Sequence, residues 1–134
     1  NLFGAKRRLP NVYSNNLGQK LEALRQSVNA PIQGAASNYT LFSSILIWEA
    51  TQLGILPAGI KQVGTVHDSI IFYLPPDIVH KSVPIIDAIC ANPETKEWFN
   101  FEVKGLKMAV DFEVGKDWGD LKNYDPHRDY TKFN

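Results

Sequence analysis

The chain is poor in sulfur: its 134 residues include one cysteine and one methionine. A lone thiol, Cys90, excludes an intrachain disulfide framework and suits a reducing compartment. No apolar run approaches the ~20 residues that span a bilayer. The N-terminus lacks the basic-then-apolar layout of a secretory signal. Neither membrane insertion nor a membrane partner is therefore expected. Charge of either sign is not in excess, because 14 Lys and Arg balance 14 Asp and Glu for a formal net charge of +0. No global field draws the chain to nucleic acid or to anionic lipid. Nucleic-acid contact would need a local cluster, and Lys6-Arg7-Arg8 is the clear one. There is no internal repeat, no low-complexity tract and no zinc-like spacing of His and Cys. The first residue is Asn rather than Met, which fits a chain that is processed, excised or part of something longer.

What remains is ordinary globular composition, with 44% hydrophobic and 21% charged residues, enough for one domain with a modest core. Residues 1–16 read as irregular, with Gly4, Pro10, Ser14, Asn15 and Asn16 as breakers. Leu17, Leu21, Leu24 and Val28 recur at helical spacing and predict a helix over 17–28. Pro31 interrupts the pattern and suits the first turn of a second helix. That helix, about 32–53, is apolar around most of its girth and should be buried. Gly54, Pro57 and Gly59 end it. Two apolar runs, 60–66 and 69–74, predict a hairpin closed off by Pro75-Pro76. Asp77 is a credible N-cap for a helix to about Ala91, with Pro84 kinking or splitting it and Asn92-Pro93 stopping it. Glu94–Asn100 reads as a short helix or loop. Leu106, Met108, Val110, Phe112 and Val114 alternate with polar or small residues, as a half-buried strand does. Residues 116–134 read as an extended surface tail. The fold class expected is α+β: a small antiparallel sheet backed by helices on one face, its other face polar and open to water or a ligand.

The chemistry concentrates at His67-Asp68. A two-residue polar tip between two strands holds a carboxylate at the end of a hairpin, as a metal-dependent enzyme needs. The bland alternative is a turn aspartate and a turn histidine. Elsewhere, Asn29 and Gln33 are amides ahead of Gly34-Ala35-Ala36, where little side-chain bulk stands between the backbone and a partner. Amides of this kind can bond the acceptors that every base pair shows in the minor groove. The alternative for Gly34-Ala35-Ala36 is tight helix packing, and both can hold. Arg25, Arg7 and Arg8 suit phosphates or neighbouring carboxylates; for Arg7 and Arg8 a solvated basic loop is the alternative. Asp111 and Glu113 read as a solvated strand face, His80 and His127 as surface residues, Trp48 and Trp98 as packing residues, and Cys90 as a buried, inert thiol.

Four segments taken in order resemble family A DNA polymerases, the polymerase I-like enzymes. They are Leu2-Phe3-Gly4 with Arg7-Arg8-Leu9-Pro10; Arg25 through Asn29-Ala30-Pro31-Ile32-Gln33-Gly34-Ala35-Ala36; Val66-His67-Asp68; and Val110 to Trp118. The resemblance implies that residues 1–122 are the C-terminal part of the polymerase palm with adjoining helices, and that 123–134 are a C-terminal tail. It implies a motif C hairpin in which Asp68 is one of two aspartates holding two Mg²⁺ ions, with His67 beside the primer terminus. Gln33 and Asn29 would then contact the minor groove, and Arg25, Arg7 and Arg8 would serve nucleic-acid binding. The implied reaction is template-directed addition of deoxynucleotides to a primer 3′ end, with primer-template DNA and deoxynucleoside triphosphates as partners. Its expected setting is the cytoplasm of a bacterial or infected host cell.

Three departures qualify the likeness. Ser69 stands where the family's motif continues with Glu, and His67-Asp68-Ser69 also resembles single-subunit RNA polymerases of phage type. Asn38 replaces an Asp. The motif A aspartate, the nucleotide-binding helix and the thumb would lie upstream of residue 1. The chain is thus expected to need an N-terminal polymerase piece and to be inactive alone, as a split subunit or a fragment of a divergent, phage-like enzyme. A non-catalytic DNA-binding or assembly subunit is the competing class.

Overall fold

A computed structural model describes residues 1, 4–91 and 108–132. The stop at Asn92-Pro93, the segment 94–100, Trp98, and Leu106 and Lys107 at the start of the expected strand lie outside the described residues. Among the described residues the order is a 3-10 turn (Pro10–Tyr13), helix α1 (Leu17–Gln52), strands β1 (Lys61–Val66) and β2 (Ser69–Tyr73), a 3-10 turn (Pro76–Ile78), helix α2 (Val79–Ala91), strand β3 (Glu113–Val114), a 3-10 turn (Trp118–Asp120) and strand β4 (Lys122–Asn123). The fold class is α+β, with two helices and small antiparallel sheets among the described residues.

Helix α1 starts at a built cap. Asn16 Oδ1 accepts from Gly18 N at 3.0 Å and Gln19 N at 3.3 Å, which satisfies two of the donors a helix start leaves orphaned. It ends in a Schellman turn. Ile55 N donates to Ala50 O at 3.0 Å and Gly54 N to Thr51 O at 3.3 Å, with Gly54 at φ 72°, a conformation that glycine adopts without steric penalty. The two helices expected on either side of Pro31 are one helix of 36 residues, with Pro31 inside it. Proline removes one i→i−4 bond, so only the carbonyl of Ser27 loses its intrahelical partner. Ser27 is exposed, and water can take that carbonyl. Pro84 likewise sits inside a continuous α2. Asp77 lies in the 3-10 turn ahead of α2, a turn opened by Pro76 in its first position, so the start expected from an Asp cap is made by the Pro75-Pro76 pair instead.

The hairpin forms where expected. Its register pairs Lys61 with Tyr73 and Val66 with Ser69, with a bulge between Gln62 and Gly64. Ile70, Phe72 and Leu74 point to one side at period two and pack on a core of Ile47, Ala50, Leu56, Ile60, Ile86 and Cys90 from α1, α2 and the loop between α1 and β1. Val110 and Phe112 join the same core, while Ala109, Asp111 and Glu113 are exposed. The alternation of burial expected there holds, but the expected strand is reduced to Glu113–Val114, with residues 108–112 outside any ladder. The pairing does not extend the hairpin: β3 pairs with β4, making a separate two-stranded sheet. Val63 and Tyr73 of the hairpin are exposed, so its outer side is less polar than expected.

The segment expected to be an extended surface tail is mostly exposed over its described residues, yet it is fastened to the body. Tyr124 N donates to Phe112 O at 2.7 Å, Asp125 N donates to Tyr130 Oη at 2.8 Å, and Tyr130 is buried. His80 of α2 bonds Tyr124 Oη at 2.9 Å and Arg128 O at 2.7 Å. The exposed imidazole is therefore a fastening for the segment.

Candidate functional site

Val66 and Ser69 close the ladder, so His67 and Asp68 are the entire turn. Two-residue hairpin loops match the twist of their strands only with positive φ at the first or at both central residues. His67 supplies it, at φ 55°, and is the one non-glycine in that region among the described residues. An L-residue there is strained by roughly 1–2 kcal/mol. An imidazole thus stands where backbone geometry alone would favour glycine. Both turn side chains are exposed.

The turn is tied to α1. Thr40 Oγ1 lies 3.4 Å from Asp68 O and 3.2 Å from Ala36 O, the carbonyl one helical turn earlier. One turn further along, Ser44 Oγ accepts from Gln62 Nε2 at the other end of β1. Residues three or four apart share a helix face, and Arg25, Asn29, Gln33, Ala36 and Thr40 have that spacing throughout. At 3.6 residues per turn they fall within an arc of about 80°. The continuity of α1 through Pro31 keeps them in phase. With a rise of 1.5 Å per residue, Gln33 stands about 10 Å and Arg25 about 22 Å along the axis from Thr40. One exposed polar stripe therefore runs along α1 to the base of the His67-Asp68 turn.

Asn29 and Gln33 are exposed on this stripe. Arg25 pairs with Glu22, the neighbouring-carboxylate role allowed for it above. Gly34 faces the other way. A Cβ there would meet Asn1 Nδ2 at 2.9 Å, and Asn1 Oδ1 accepts from Ala5 N at 3.0 Å. Close packing thus accounts for Gly34, and Ala36 is the small residue on the stripe. Arg7 and Arg8 line a cleft of about 340 Å³ with Gln19, Glu22 and Gln26 of α1; Glu22 joins this cleft to the stripe. Thr40 belongs to no motif in the sequence. The signal that could have found it is its distance of seven residues, two helical turns, from Gln33.

Two groups beneath the hairpin have altered acidity. Burial pushes the Cys90 thiol up, as an inert core cysteine requires. Tyr39, whose hydroxyl donates to Cys90 O at 2.5 Å, is pushed up to about 12, chiefly by burial and then by the neighbouring Cys90. His127 is exposed.

No three His, Cys, Asp or Glu side chains converge on a metal position among the described residues. Asp68 offers one carboxylate, a hard oxygen ligand, on the two-residue turn. Mg²⁺ commonly takes one or two carboxylates and completes its shell with substrate phosphates and water. The donor set fits half of such a site, with further donors needed from beyond these residues.

The family profile of DNA polymerase family A matches residues 1–120. The chain is 37% identical over 120 residues to the DNA polymerase of Bacillus phage SP01, covering 89% of this chain and 13% of that protein. It is 26% identical over 117 residues to the mitochondrial DNA polymerase I B of Oryza sativa subsp. japonica, covering 87% of this chain and 11% of that protein. With the DNA polymerase of Escherichia phage T5 it shares 37% identity over 78 residues, 58% of this chain and 9% of that protein. The chain spans about an eighth of the length of the first of these relatives. The match begins at residue 1 and runs through the cleft, the stripe and the hairpin, and on that ground the chain belongs to DNA polymerase family A.

Proposed function

We propose that residues 1–122 form the C-terminal part of the palm, with adjoining helices, of a DNA-directed DNA polymerase. They contribute one side of a composite active site that extends a primer 3′ end with deoxynucleoside triphosphates in the bacterial or infected-cell cytoplasm. The observation that carries this reading is the stripe on α1. One helix presents Arg25, Asn29 and Gln33 to a duplex and, at Thr40, meets the turn that bears His67 and Asp68.

In this reading Asp68 would hold Mg²⁺, which would supply electrostatic stabilisation to the transferring phosphoryl group and acidify the attacking hydroxyl. His67 packs against the primer terminus and orients it. Gln33 and Asn29 donate to the minor-groove acceptors that matched pairs share, so pairing is read without sequence. Arg7, Arg8 and Arg25 bind the backbone. Ser69 adds a hydroxyl where the family pattern has a third carboxylate.

The second carboxylate and the triphosphate-binding cations come from an N-terminal polymerase piece. Support for that partner is the apolar edge of α1. Leu17, Leu21, Leu24, Val28 and Ile32 are all exposed, yet they fall within one arc of about 80°. A contiguous apolar stripe of that length marks a surface that another body covers.

The test is Asp68→Asn in the polymerase that contains this segment. Single-turnover incorporation should fall by on the order of 10²-fold or more, with primer-template affinity nearly intact. A near-normal rate would sink the assignment. The chain by itself should incorporate no nucleotide on primed template with Mg²⁺.

A further inference from the structure

We propose that Thr40 is a positioning residue for Asp68: its hydroxyl sets the turn on α1, so that contacts made by Gln33 and Asn29 on the same helix bear on the rate of the chemical step. This rests on the role given to Asp68 above and adds to it a residue that no motif marks.

A two-stranded hairpin is weakly stable by itself, and its tip is the part freest to move. Here two side chains of α1, one turn apart, brace it: Ser44 at Gln62 and Thr40 at the carbonyl of Asp68. A threonine inside a helix ordinarily gives its one hydroxyl proton to the carbonyl four residues earlier. Thr40 has that acceptor, Ala36 O at 3.2 Å, and a second, Asp68 O at 3.4 Å. The proton is shared between a carbonyl on the stripe and the main chain of the residue whose carboxylate would hold the metal. The β-branch of threonine limits χ1 to two rotamers in a helix, and the one adopted puts the hydroxyl within reach of both. Neither acceptor depends on it for satisfaction. Ala36 O has the helical N–H of Thr40, and Asp68 belongs to an exposed turn. Removing the hydroxyl therefore leaves no buried orphan and should change stability little. Its effect should fall on placement, where errors of about 1 Å reduce rates by as much as about 10²-fold.

The test compares Thr40→Val, which keeps the shape and loses the hydroxyl, with Thr40→Ser, which keeps the hydroxyl. Both are made in the complete polymerase and read by single-turnover incorporation against nucleotide and Mg²⁺ concentration. One shared hydrogen bond predicts a maximal rate about 3- to 10-fold lower for the valine variant. Its Mg²⁺ requirement should rise while nucleotide and primer-template affinities stay near wild type. Serine should restore the rate and the Mg²⁺ profile. The penalty for extending a mismatched end should shrink in the valine variant, and adding Gln33→Ala should cost less than the product of the two single effects. A valine variant with wild-type rate and Mg²⁺ profile overturns the proposal, as does a loss confined to DNA binding or a serine variant that fails to restore activity. Asp68→Asn, run in parallel, separates the two levels. If it is inactive while Thr40→Val is normal, only the role of Thr40 falls. If Asp68→Asn is itself normal, the reading of the site falls first.

Discussion

Glycine and alanine at position 67 make opposite predictions for a turn residue and for a functional imidazole. His67 has φ 55°. Alanine there keeps the strain of a left-handed L-residue and removes the ring; glycine relieves the strain and removes the ring. In an ordinary strand glycine is the worse of the two, by roughly 0.5–1 kcal/mol. At positive φ the order inverts, and alanine should be the less stable by about 1 kcal/mol, or about a fivefold difference in the equilibrium for opening the hairpin. Amide hydrogen exchange on peptides covering 61–74, in the whole polymerase, reads that local equilibrium directly. The glycine variant should exchange about fivefold more slowly than the alanine variant. Equal or faster exchange in the glycine variant would refute the strained turn. Primer extension supplies the second arm. If His67 is only a turn residue, the glycine variant should extend at least as well as wild type. If the imidazole orients the primer terminus, both variants should lose activity alike, the more stable one included.

Three further outcomes are expected. Gln33→Ala should slow extension from matched ends and blunt discrimination against mismatched ones across several template sequences; a variant with wild-type rates on both would return Gln33 to a solvated helix position. Pro31→Ala restores the missing N–H to the carbonyl of Ser27 and should slow amide exchange over 27–35, by up to about 3 kcal/mol of local stability; faster exchange would mean that the proline is compatible with a break in α1. Cys90 is buried and its thiol is pushed above the ordinary range, so peptide-level mass spectrometry should find it unmodified by iodoacetamide at pH 8 in the folded enzyme and alkylated in urea; rapid native alkylation would contradict the packing of the core.

What could be read from the sequence was what depends on neighbours in the chain. The hairpin was legible because a polar pair separates two apolar runs and Pro75 closes the second. Its register then follows, since a one-residue slip would turn Ile70, Phe72 and Leu74 out of the core. The alternation of Val110 and Phe112 with Asp111 and Glu113 was legible for the same reason, but which strand they would lie against was not. Period two says which side is buried and nothing about the pairing partner. The fastening of the C-terminal segment is not legible, because its polar composition hides half-buried Tyr124 and buried Tyr130, which meet His80 of α2 more than 40 residues away. Pro31 reads as a break under a local rule that holds for buried backbone and is relaxed where the orphaned carbonyl is exposed.

That last difference matters most for the site. On two helices, Arg25 would belong to one body and Gln33 and Thr40 to another, with Asn29 in the link between, and no fixed angle would relate them. One helix advances 100° per residue without a break, so spacings of four, four, three and four residues suffice to set all of them on one side. Asn29 and Gln33, just ahead of and just behind the proline, keep the i,i+4 relation that lets two amides lie along the same groove. The motif residues are therefore legible one by one, whereas their alignment under Asp68 depends on a continuity that the proline disguises. Thr40, which has no motif, joins them only because that continuity holds.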